Sequence, residues 1–165
     1  MAAESTFDIV SEFDKQELVN AVDQTRRDVT TRYDLKDSKS TIEINENELV
    51  LTSDNEMHLS SVREILQSKA HRRNLSLKIF DFGQVEEVSG ARVRQVVTLQ
   101  QGIDSDLAKK IQKMIRSEFP KIQPRIQGES LRVGSKSKDD LQKVINFLRE
   151  REDEIPVPLQ FTNYR

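Results

Sequence analysis

Apolar residues recur along this chain in two rhythms, one of period two and one of period 3.6, and each rhythm dictates an element. Phe7-Asp8-Ile9-Val10-Ser11 reads as a strand. Asp14 caps a helix that runs to about Thr30, with Leu18, Ala21, Val22, Thr25 and Val29 on one face. Ile42 and Ile44 alternate with polar residues, Glu46-Asn47 turns the chain, and Leu49 and Leu51 complete a hairpin. Ser53-Asp54-Asn55-Glu56 matches a capping box and opens a second helix with Leu59, Val62, Ile65 and Leu66 inward. Leu75, Leu77 and Ile79 alternate as a further strand. The first half therefore reads βαββαβ.

The second half repeats the order. Val93, Val97 and Leu99 mark a strand, and Asp104 caps a helix carrying Leu107, Ala108, Ile111, Met114 and Ile115. Ile122, Ile126, Leu131 and Val133 flank a turn at Gly128. Leu141, Val144, Ile145 and Leu148 line a fourth helix, and Val157, Leu159 and Phe161 suit a last strand. Core positions coincide between the halves: Ile126 stands 82 residues after Ile44, as Leu131 does after Leu49 and Leu148 after Leu66. Such coincidence at core positions is the mark of a duplicated unit. Leu107 stands 89 after Leu18, so the first copy carries seven extra residues between Arg32 and Thr41. A βαββαβ unit is the ferredoxin-like arrangement, an antiparallel sheet with two helices on one face and the other face open. The fold class expected is α+β, two tandem ferredoxin-like domains, with residues 1–88 as the first and 89–165 as the second. The polar stretch Asp81 to Gly90 is the expected linker.

Charge sharpens this picture. Residues 1–90 hold 11 Lys/Arg against 18 Asp/Glu, a net of -7, and residues 91–165 hold 15 against 10, a net of +5. An acidic first domain and a basic second one follow, the basic one being the better place for an anionic partner. With 0 cysteines, disulfides, thiolate metal sites and thiol nucleophiles are excluded. The two histidines, His58 and His71, fall on helices and assemble no triad. No phosphate-binding P-loop or Gly-x-Ser-x-Gly stands in the chain, and no catalytic residue, metal site or cofactor is expected. Without an apolar run of about 18 residues or a signal-like start, no membrane association is expected and the expected setting is the cytoplasm.

Alternation then selects the outward side chains. With Ile122, Pro124 and Ile126 inward, Lys121, Gln123, Arg125 and Gln127 point outward, joined by Ser130 and Arg132 from the next strand and by Pro158, Gln160 and Thr162 from the last. Guanidinium forks and amides of this kind suit phosphates, although a solvated or packing face fits the pattern too. Gln101-Gly102 joins a strand to a helix, where free amides favour a phosphate. The loop from Arg32 to Lys36 offers a guanidinium, the Tyr33 ring and a cation, a set for a phosphate with a stacked base; a helix end capped by Arg32 over a packed Tyr33 fits equally. Phe80 and Phe161 are the candidates for base stacking, with core packing as their other role.

Several segments stand together in order: Phe7-Asp8-Ile9-Val10-Ser11-Glu12, Thr31-Arg32-Tyr33-Asp34-Leu35-Lys36, Gln101-Gly102-Ile103, Ile126-Gln127-Gly128-Glu129, Arg132-Val133 with Lys136, Asp139-Asp140-Leu141-Gln142, and Pro158 to Arg165. In combination they resemble the YajQ family of bacterial nucleotide-binding proteins over essentially the whole chain. The resemblance implies exchanged N-terminal strands, so that residues 6–12 complete the second sheet. It implies binding of a nucleotide, cyclic di-GMP in some members, or RNA, and action on a transcription regulator. Its counterpart is an adaptor that binds that regulator with no nucleotide. The ligand set expected is Arg32, Tyr33 and Lys36 with Gln101, Gly102, Arg125, Gln127, Arg132 and Lys136. Arg132, read as a solvent-facing ligand group, is expected to be removable without cost to the fold.

Overall fold

A computed structural model describes residues 4–165 as two compact units. One is continuous, Phe13–Gln100; the other is split, joining the chain up to Glu12 with Gln101–Arg165. Each holds one four-stranded antiparallel sheet and two helices.

The continuous unit contains α1 (Lys15–Thr31), β2 (Thr41–Ile44), β3 (Glu48–Ser53), α2 (Glu56–Arg72), β4 (Phe80–Val88) and β5 (Arg92–Leu99), with strand order β2-β3-β5-β4. Asp14 caps α1 as expected, its carboxylate accepting from the Gln16 and Glu17 amides. Helix α2 departs from the capping-box reading. Asn55 is its cap, accepting from the His58 amide at 2.8 Å, while the Ser53 hydroxyl joins a chain with Ser40 and Asp54. Leu77–Ile79 forms a single 3₁₀ turn rather than a strand, and the strand begins at Phe80. The stretch read as a linker is therefore β4 itself, hairpinned to β5 through Gly90 and Ala91, both with positive φ.

A bulge at Gly83 and Gln84 shifts the β4–β5 register between Phe82 and Val85. The carbonyl it frees at Gly83 accepts from buried Gln95 at 2.6 Å, and Arg63 completes the Gln95 amide at 2.9 Å. A Cβ on Gly83 would stand 2.8 Å from the Val96 carbonyl oxygen, a backbone atom held in the β3–β5 ladder. Gly83→Ala is expected to cost about 1–3 kcal/mol by overpacking. Chemical denaturation checks it, and a wild-type midpoint would mean that the bulge gives way freely.

The split unit contains β1 (Ser5–Val10), α3 (Ser105–Glu118), β6 (Arg125–Gln127), β7 (Ser130–Ser135), α4 (Lys138–Glu150) and β8 (Gln160–Thr162), with order β6-β7-β1-β8. The first strand of the chain thus lies at the centre of this sheet, between β7 and β8. The corresponding central place in the continuous unit is taken by β5. Phe7 and Ile9, fully buried, pack with Ile111, Ile115, Leu131, Val133, Val144 and Leu148 into the core beneath the helices. Ile126 stands opposite buried Leu131 and so shares its inward face, as expected, but is not covered there. It stays 39% exposed because β6 is a three-residue edge strand whose side chains are all exposed.

Exchange redistributes charge. Glu4, Asp8 and Glu12 join the split unit, whereas Arg92 and Arg94 fall in the continuous one. The split unit then holds 13 Lys/Arg against 13 Asp/Glu, and the continuous unit 13 against 15. The contrast of -7 and +5 between chain halves becomes 0 and -2 between units in space. A basic second domain, in the sense of net charge, is not what folds; any anion preference has to come from local arrangement.

Candidate functional site

The open face of the split unit is built around one carboxylate. Because Phe7 and Ile9 face the core, Asp8 between them faces the other way. In the ladder Asp8 stands opposite Arg132, and Arg132 opposite Arg125. Arg132 donates from Nε to Asp8 Oδ1 at 2.9 Å and from Nη2 to Oδ2 at 3.4 Å, and Asn163 Nδ2 donates to Oδ2 at 2.9 Å. The hydrogen bond from Arg132 holds the Asp8 carboxyl below its ordinary range, against the opposing effect of burial. Arg132 is thus first a structural partner of the exchanged strand. Arg125 is the second guanidinium of the row, exposed, with no ion-pair partner among the described residues. Gln127, two residues along β6, is exposed, and so is Lys136 just past the end of β7, whereas Gln160 is pinned by accepting from the Glu12 amide at 2.7 Å.

The turn at Gln101-Gly102 does not offer a phosphate cradle. Gly102, at φ 85°, donates its amide to the Ser11 carbonyl at 2.6 Å, and Ile103 donates to the Glu129 carbonyl at 2.9 Å. The Glu129 carboxylate lies over the glycine, where a Cβ would be 2.6 Å from Oε2. Asp8, Glu12 and Glu129 line the adjoining hollow of about 290 Å³, so the surroundings favour donors over anions.

In the continuous unit α1 ends at Arg32, whose amide donates to the Asp28 carbonyl at 2.8 Å. The Arg32 fork is closed on Asp34, with 3.1 and 3.0 Å contacts. Leu35, 1% exposed, anchors the turn, and Ser38 locks it through its hydroxyl to the Leu35 carbonyl at 2.6 Å. Tyr33 is left 90% exposed, with Lys36 Nζ 5.5 Å from its ring centroid. The packed-tyrosine alternative is thereby excluded. The seven additional residues of the first copy build a fixed turn that presents an aromatic ring to solvent.

The two stacking candidates fare otherwise. Phe80 is buried against Phe82 at 5.8 Å between centroids, in the core of its unit, and offers no face to a base. Phe161 is half-buried, edge-on to Phe7 at 5.9 Å, with the Arg149 guanidinium 5.5 Å from its centroid. Sequence reasoning missed Asp8 and Asn163 as the partners that hold Arg132. Nothing in the sequence pairs Asp8 with a residue 124 positions away. No described helix is long and apolar enough to cross a membrane.

The two units, each an antiparallel sheet with two helices and with strands exchanged between the halves of the chain, are of the split-βαβ, ferredoxin-like class. The family described as nucleotide-binding protein YajQ-like matches residues 5–165, and the chain belongs to that family. A protein of Roseiflexus castenholzii is 66% identical over 165 residues, covering the whole of both chains. One of Chloroflexus aurantiacus is 68% identical and one of Synechococcus elongatus 59% identical over the same full span. All three relatives are described as nucleotide-binding proteins.

Proposed function

We propose that this chain binds a nucleotide without transforming it, and that the open face of the split unit takes the phosphate. The carrying observation is the arginine pair across β6 and β7. Like charges directly opposite in a ladder cost stability. Asp8 and Asn163 compensate Arg132, which leaves Arg125 as an uncompensated, exposed donor beside Gln127. Cyclic di-GMP and short single-stranded RNA are the ligands of choice, with a transcription regulator as the downstream partner. Tyr33 and Lys36 form a separate stacking platform in the continuous unit, since a fully presented ring beside a cation suits any base.

Calorimetric titration with cyclic di-GMP, and with a short RNA at two salt concentrations, tests this reading. Saturable binding is expected, with RNA affinity falling steeply with salt. Arg125→Ala is expected to weaken binding by at least about tenfold, the worth of a charge-assisted hydrogen bond, with an unchanged melting temperature. Undiminished affinity in that variant would remove the open face from the site. The nucleotide-free adaptor would show a regulator binding with wild-type affinity to a chain that gives no heat with either ligand.

A further inference from the structure

The split unit has a second concavity, on the helix side of its sheet and beside the last strand. Asp8 pairs with Thr162, yet Thr6 and Arg165 exchange both backbone hydrogen bonds, at 3.2 and 3.0 Å. One extra residue is therefore taken up after β8, and Asn163, at φ 55°, absorbs it as a bulge. The slip carries Tyr164 to the helix side, where its ring lies 6.2 Å from that of Phe7 and tilted by 30°. Phe7 is fully buried, whereas Tyr164 stays 63% exposed. Tyr164 thus covers the core on one side and offers its ring to solvent on the other.

Beside that ring runs one face of α4, with Lys138, Leu141, Gln142 and Ile145 at helical spacing. These residues, with Tyr164 and Arg165, line a groove of about 320 Å³. Leu141 and Ile145, both buried, form an apolar floor. Lys138 stands at the rim with no ion-pair partner among the described residues. Gln142 donates from Nε2 to Asn146 at 3.0 Å, which leaves its carbonyl oxygen to accept.

We propose that this groove is a second binding site, for a single nucleotide bearing an amino-substituted base. The base lies on Tyr164 over Leu141 and Ile145, its amino group donates to Gln142, and the phosphate meets Lys138. The volume sits at the lower end of ligand pockets, ~300–1,000 Å³, which suits one nucleotide rather than two. The inference rests on the nucleotide-binding reading but not on the open face, since the sheet separates the two surfaces of this unit.

The chain has only two tyrosines, Tyr33 and Tyr164, so ring-labelled tyrosine in the full-length protein gives two NMR reporters. Adenosine monophosphate is expected to shift the Tyr164 ring signals saturably. Adenosine binds about tenfold more weakly, and Lys138→Ala loses a similar factor toward the phosphorylated probe. Arg125→Ala leaves the Tyr164 titration unchanged. Unmoved Tyr164 signals overturn the site, as does a Tyr164 shift that disappears in Arg125→Ala; equal affinity for the two probes overturns the assignment of Lys138. If Tyr164 stays silent while cyclic di-GMP or RNA binds through Arg125, the groove alone is refuted. If no nucleotide binds anywhere, the functional reading falls with it.

Discussion

Residues 101–165 without the N-terminal strand are expected to show no cooperative thermal unfolding, whereas residues 13–100 alone melt in one sharp transition. The difference follows from where β1 lies. Among the described residues it is the only strand beside β8 and the inner neighbour of β7, aligned with five residues of β7 and three of β8. It also supplies Phe7 and Ile9, both with no exposure, to the core. Truncating a buried phenylalanine alone costs about 3–5 kcal/mol, and losing an isoleucine with it approaches the ~5–15 kcal/mol that holds a domain together. The continuous unit loses nothing in the cut, because β2, β3, β4, β5 and its core residues all lie within 13–100. Circular dichroism melts of the two fragments check this, with Phe7→Ala in the full chain as the milder version. A cut at 88/89 should instead damage both halves, since it parts β5 from its sheet and leaves β1 on the wrong fragment. A cooperative melt of 101–165 alone would show β1 to be dispensable and the exchange to be decoration.

Most of the elements were legible because their signal is local. The stripes Leu18–Val29 and Leu141–Leu148 became α1 and α4, and Asp14 and Asp104 cap their helices as read. Strand β4 was not legible. It is an edge strand broken by the Gly83 bulge, so alternation fails where the register shifts, and Glu86-Glu87 exposes two charges in succession. What the sequence could not convey at all is pairing across distance. Charge summed over halves of the chain misled because three carboxylates cross to the split unit with β1. At Gly102 the residues suggest a close backbone approach with a free amide, but the Ser11 carbonyl, just after the exchanged strand, already accepts from that amide. At Tyr33 the residues left two outcomes equal, and burial of Leu35 decided between them by anchoring the turn from below.

Arg132→Ala is expected to lower the melting temperature at neutral pH by about 5 °C or more, contrary to its reading as a dispensable ligand group. The Asp8 side chain is 9% exposed and that of Arg132 30%, so the substitution strands a nearly buried carboxylate with Asn163 as its remaining side-chain donor among the described residues. Asp8→Asn in the same background should recover part of the loss by removing the charge left unpaired. The pair also fixes a pH dependence. Asp8 has a folded pKa below its unfolded value of about 3.9, so its contribution is fully present above that value and is lost as pH falls from there through the depressed folded pKa. Thermal melts between about pH 2 and 7 should therefore show a wild-type decline below about pH 4 that is shallower in Asp8→Asn. Subtracting the two curves removes other acid-sensitive pairs such as Asp54 with His58. Should Arg132→Ala melt like the wild type, Arg132 would be free to serve a ligand and the open face would hold two available guanidiniums. Should it melt lower, any affinity lost in that variant reports the collapse of the Asp8 contact as much as a missing phosphate contact, and Arg125 becomes the residue on which ligand binding is to be judged.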